Sequence, residues 1–161
     1  MAAKSRNRKI GALGWVLRGA AAGAAGTTAL NVVAYLDMAV RGRPASTTPQ
    51  RTVETLAGLA HVTVPGQGAT RGNRVEGLGA LTGLASGIGV GGLLGLARAS
   101  GVRTGTLLTT LIVLVATNGP MTVLGVTDPR TWSRTDWISD VVPHLAYGVA
   151  VTTTMDAFDG R

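Results

Sequence analysis

The sequence predicts an all-α, polytopic membrane protein. Four transmembrane helices pack through small residues, and a short interfacial helix sits in the first long loop. Three observations carry this. Only 14% of the residues are charged and 4% aromatic, while 45% are hydrophobic. A soluble domain carries about 25% charge, so this chain has too little to solvate a globular surface. The uncharged stretches 19–36, 77–97, 104–127 and 141–155 approach the ~20 apolar residues that cross a bilayer. Gly and Ala fill much of these stretches, as they do where helices approach closely in lipid.

The first span is expected over 12–37. Trp15 and Arg18 suit its entry into the hydrocarbon, the ring by its amphipathic character and the Arg by snorkelling. Asp37 and Arg41, four residues apart, suit its exit as a pair. The basic start (Lys4, Arg6, Arg8 and Lys9) and the alanines resemble a signal peptide, but Arg18 interrupts the apolar run, which then continues to Leu36. A retained span is therefore expected.

Residues 42–76 form the one long polar connection. Thr48 as N-cap and Pro49 as first helical residue open a short helix over 49–60. Its Val53, Leu56, Ala57 and Ala60 would share a face against the bilayer surface. "TVPGQGATRGNR" after it reads as loop from its Pro and Gly content. The second span is expected over 77–97, and the third over 104–126 with a kink at Pro120, whose ring removes the donor to the Ala116 carbonyl. The fourth, over 136–157, begins with a capping-box-like Ser133 and Asp136 and carries Asp140 inside.

The second span contains "GIGVGG", which matches a dinucleotide-binding glycine pattern. That fold needs a preceding strand and an acid about 20 residues on. No β-branched run precedes the glycines, and the next acid is Asp128, beyond another apolar span. The phosphate reading fails. The glycines at Gly79, Gly83, Gly87, Gly91 and Gly95 instead recur every four residues, which makes a groove along one helix face. A second small-residue surface, Gly19, Gly23 and Gly26, lies on the first span. An intrachain contact between the first and second spans is expected in preference to a homo-oligomeric one.

The polar residues of the spans can be placed by depth. Asn31 lies about 20 Å beyond Arg18, Asn118 about 22 Å beyond Arg103, and His144 about 10 Å in from Trp137. With the amino terminus cytoplasmic, these three reach a similar depth towards the outer leaflet. Tyr35 stands one turn above Asn31, and Asp140, His144 and Tyr147 share a helix face. A candidate pocket is thus Asn31, Tyr35, Asn118, Asp140, His144 and Tyr147. Buried ionisable groups in a membrane are costly and point to function. Three readings stay open: hydrogen bonds that hold the helices together, a pocket for a small solute or a proton relay, and a membrane enzyme using Asp140 and His144.

Other chemistry is poorly provided for. No catalytic residue is assigned and no cofactor is expected. The chain has no cysteine, and Asp140 with His144 offers a metal only two ligands, so no metal site is expected. Ser86, Ser100 and Ser139 lack a nucleophile-elbow pattern. The net charge of +7 is not arranged as a basic stripe with aromatics, which argues against nucleic acid. The expected partners are the lipid bilayer and either a membrane protein or a second copy of the chain. An even number of spans places eight Lys and Arg on the side of the termini and seven on the other. The compact amino-terminal cluster favours both ends in the cytoplasm.

Two segments, "AAAGAAGTTALNVVAYLDMAVRGRPASTTP" and "NGPMTVLGVTDPRTWSRTDWISDVVPHLAYG", resemble a group of small actinobacterial integral membrane proteins of unassigned function, over most of the chain. The carboxy-terminal part, with Pro120, Met121, Gly125, Trp137, His144 and Leu145, is more faintly similar to YagU-like bacterial inner-membrane proteins. The resemblance implies a bacterial inner-membrane location and no catalytic residues. The functional expectation is action in transport, permeability or envelope homeostasis through the polar cluster. The alternative is a structural or accessory subunit that docks a membrane partner through the glycine helix.

Overall fold

The computed structural model describes residues 10–160, so the basic cluster Lys4, Arg6, Arg8 and Lys9 lies outside the described residues. The protein is all-helical: α1 (Ala12–Arg41), α2 (Thr48–Leu59), α3 (Gly68–Ala99), α4 (Thr106–Val123) and α5 (Arg134–Phe158), with a single 3-10 turn at Pro129–Thr131. α1 packs between α3 and α5, α4 packs mainly on α5, and α2 lies on α3.

Two helices, α3 and α4, are long and apolar enough to cross a membrane. α1 and α5 have the length but no stretch as apolar as those of α3 and α4. α1 is built largely from Ala and Gly, and α5 carries Asp140, Pro143, His144 and Tyr147. Close packing and polar contacts replace bulky aliphatics in both.

α3 departs most from expectation. It begins at Gly68, so residues 68–76, expected as loop, form its first turns. α2 explains the extension by covering it. Val53 of α2 and Val75 of α3 are both buried, Glu54 pairs with Arg71 at 2.7 Å, and a methyl on Gly79 would stand 3.1 Å from Pro49. These pairings run in opposite chain directions, so α2 stands antiparallel along α3. Thr52 is buried beside Val53, and Leu56 is exposed. Thr47 takes the N-cap position, one residue before the expected one, without a side-chain capping bond, and Pro49 lies in the first turn.

The α1–α3 contact is backbone against backbone. A Cβ on Gly91 would collide with the Gly19 carbonyl and stand 2.6 Å from Gly23 Cα. One on Gly95 would collide with the Trp15 carbonyl, and one on Gly87 with the Thr27 hydroxyl. Gly23 and Gly19 are equally intolerant. The contact therefore runs from Trp15 to Thr27 on α1 and from Gly95 back to Gly87 on α3. It ends there. Gly83 meets nothing within 4 Å, and Gly79 faces α2, not α1. The five-glycine ridge is thus three residues of α1 contact, a gap, and one residue of α2 contact. Crossing helices separate away from their closest approach, and this pair does so past Thr27 and Gly87.

The core is small: Ala22, Val90, Leu94, Val113, Tyr147, Val151 and Met155, edged by Trp15, Leu30 and Ile112. Gly26 makes room for the Tyr147 ring, since a Cβ there would lie 2.7 Å from it. On the other side of α5, Gly148 fits under Thr110 of α4. α4 and α5 both run unbroken through their prolines, Pro120 and Pro143. The Ser133–Asp136 capping box forms at the start of α5.

Candidate functional site

α4 and α5 bring four polar side chains together. Asn118 Nδ2 donates to Asp140 Oδ2 at 2.8 Å. His144, one turn along α5, places Nδ1 2.7 Å from the Asp140 backbone carbonyl and 3.5 Å from Asp140 Oδ1. Its Nε2 stands 3.2 Å from the Thr117 hydroxyl on α4. The same hydroxyl lies 2.8 Å from the Val113 carbonyl, one turn back. His144 is buried and Asp140 half-buried. The i, i+4 spacing on α5 makes the carboxylate–imidazole couple, and two adjacent residues of α4 reach one end of it each.

Of the six expected pocket residues, Asn118, Asp140 and His144 meet here. Tyr147 is fully buried but turns its hydroxyl to the Gly87 carbonyl of α3, 2.7 Å away. It braces α5 on α3 and touches none of the other five through a hydrogen bond. Asn31 and Tyr35 are exposed on α1 and stand apart from the cluster. Asn31 continues the Gly19, Gly23, Thr27 face, yet the α1–α3 contact has ended before it.

Thr117 is the residue that sequence reasoning missed. A threonine in an apolar helix ordinarily returns its hydroxyl to the carbonyl one turn back, as Thr27, Thr82, Thr110 and Thr152 all do here. Only its place beside Asn118 on α4 set it apart.

Two hollows in the helical bundle include none of these four residues. One of about 10 Å³, room for one water, is bounded by Leu94, Arg98, Thr104 and Met155 at the far end of α5. The other is an apolar groove of about 490 Å³ between α1 and α5, lined by residues such as Ala29, Val33, Ala146 and Val149. The cluster itself is side chain against side chain. Its inventory is one carboxylate, one imidazole, one amide and one hydroxyl, which suits holding and passing a proton better than enclosing a solute.

Charged groups gather at the two ends of the bundle. At one end, Arg98 is buried and pairs with Asp156 and Asp159 at 2.5 Å each, while Arg103 reaches Asp159 at 2.9 Å. Arg18 lies over the rings of Trp15 and Phe158 and donates to the Phe158 carbonyl at 3.2 Å. At the other end, Asp37 takes both Arg41 and Arg43, Arg41 also reaches the Ser139 hydroxyl, and Trp132 stands edge-on to Trp137. In the turn after α4, Arg130 holds the Asp128 carboxyl below the usual carboxylate range by direct hydrogen bonding.

Compared with protein-family profiles, with curated proteins and with solved structures, the chain matches none. The chemistry of the site therefore rests on its own geometry.

Proposed function

We propose that this chain is a four-span protein of a bacterial cytoplasmic membrane that binds and releases a proton at the Asp140–His144 couple, in proton-linked transport or permeability. The observation that carries the proposal is the couple itself, an imidazole whose Nδ1 bonds the Asp140 backbone carbonyl and stands 3.5 Å from its carboxylate, with Asn118 on the carboxylate and Thr117 on the ring.

Several features support the membrane setting. Arg18 and Asp37 are about 28 Å apart along α1, and Trp137 and Met155 about 27 Å apart along α5. Both spans match a hydrocarbon core about 30 Å thick. Large apolar side chains are exposed along every long helix, among them Val32, Leu36, Leu84, Leu93, Leu111, Val115, Val142 and Val149. Water would not tolerate so continuous an apolar surface. In this setting α2 and the first turns of α3 project from the bilayer, since α3 is about 48 Å long. The resemblance to small actinobacterial membrane proteins and the basic amino-terminal cluster fit a bacterial inner membrane with both ends inside.

Asp140 lies about 5 Å along α5 from Trp137, close to the membrane boundary, and His144 about 6 Å deeper. The carboxylate thus stands between the membrane boundary and the ring. A solute pocket has less support, because neither hollow includes the cluster. Docking a partner, or a second copy, through the glycine face also has less, because Gly87, Gly91 and Gly95 are already occupied by α1.

The test is a proteoliposome with an imposed pH gradient and a trapped pH dye. Wild-type protein should dissipate the gradient faster than Asp140→Asn or His144→Ala reconstituted at the same density. Equal rates for all three, with normal folding, would overturn the proposal.

A further inference from the structure

We infer that Thr117 is a positioning residue for the proton on His144, its hydroxyl reversing between donor and acceptor as the ring loses or gains that proton. The inference rests on the proton-site reading above.

His144 Nδ1 faces the Asp140 backbone carbonyl at 2.7 Å, an oxygen that can only accept. Nδ1 must therefore carry a hydrogen whether the ring is neutral or charged. In the neutral ring Nε2 is then the acceptor. Thr117 owns the one hydrogen within reach of it, at 3.2 Å, and must donate it to Nε2. When the ring is protonated, Nε2–H becomes a donor. Thr117 then accepts from it and turns its own hydrogen to the Val113 carbonyl, 2.8 Å away. Both states are fully hydrogen-bonded, and the change between them is a rotation about one C–O bond. No heavy atom has to move, which is the requirement for a buried group that must titrate without unfolding its surroundings.

The groups around the ring leave this assignment intact. On α5 the charged neighbour is Asp140. α4 contributes Thr117 and Asn118, both neutral, and Asn118 is committed to Asp140 Oδ2. From α1, Arg41 reaches α5 at Ser139, with Asp37 and Arg43 behind it. Towards α3, Tyr147 turns its hydroxyl away to the Gly87 carbonyl.

The test uses the full chain in detergent micelles with imidazole ¹⁵N-labelled histidine, assigned against His61→Gln. The neutral His144 ring should show the Nδ1–H tautomer. Thr117→Val removes a partner from both states but costs the charged ring more, so proton affinity at His144 should fall about five- to tenfold. Thr117→Ser, which keeps the hydroxyl, should restore the wild-type titration. An Nε2–H tautomer in the wild type, or an unmoved titration in Thr117→Val, overturns the inference while the proton-site reading stands. A wild-type ring that does not titrate at all between pH 4 and 9 overturns both. The tautomer is read on the wild type, so the result does not depend on the variant folding.

Discussion

Tyr147 of α5 donates its phenolic hydrogen to the backbone carbonyl of Gly87 on α3, 2.7 Å away, at the point where α1, α3 and α5 come together. Gly26 of α1 makes room for the ring and Gly87 receives the hydroxyl. The side chain has no exposed surface. Tyr147→Phe should cost about 1 kcal/mol, the net worth of one hydrogen bond, and Tyr147→Ala about 3–5 kcal/mol through the cavity it leaves. Thermal unfolding in detergent separates the two. Equal losses would mean that the ring contributes nothing beyond its hydroxyl.

The glycines of α3 should divide sharply on substitution. Gly91→Ala drives a methyl into the backbone of Gly19 and Gly23, with an expected loss of about 1–3 kcal/mol from overpacking. Gly83→Ala meets open space and should leave stability unchanged or raise it by up to about 1 kcal/mol, because alanine is the better helix former. Matching melting temperatures for the two variants would contradict the α1–α3 contact described here.

Arg98 and Arg103 share Asp159 but should differ in weight. Arg98 is buried against two carboxylates, and its guanidinium lies 5.9 Å from the Trp15 ring centre. Arg98→Ala should cost about 3 kcal/mol, the lower end for a broken buried pair, since Arg103 still serves Asp159. The exposed Arg103→Ala should cost less than about 1 kcal/mol. Urea or thermal unfolding of the two variants checks the order.

The Asp128–Arg130 pair gives a signed pH effect. The Asp128 carboxyl titrates below its ordinary range when folded. Its contribution to stability is therefore present above the unfolded carboxylate value and is lost as the pH falls through the lowered one. Asp128→Asn should flatten the loss of melting temperature between pH 5 and pH 3. A variant as acid-sensitive as the wild type would show that the turn is not held by this pair.

What the sequence by itself determined is what repeats along a single helix axis. The uncharged runs mark the apolar helices, the four-residue step marks a smooth face on α3, and the spacing of Asp140 and His144 makes them a couple. Distance along a helix is legible too, because each helical residue advances by about 1.5 Å whatever its neighbours. Only the tertiary structure decided azimuth, that is, which neighbour each face meets and for how long. Asn31 and Gly83 lie on the right faces of α1 and α3, yet the helices have parted before reaching them. Gly79 was claimed by α2, which also carried α3 nine residues beyond its expected start at 77. Thr117 entered the site because α4 turns it towards His144. The physical reason is the same in each case. Rise and period are properties of one helix, whereas rotation about the axis and the length of a crossing are set by the packing of two.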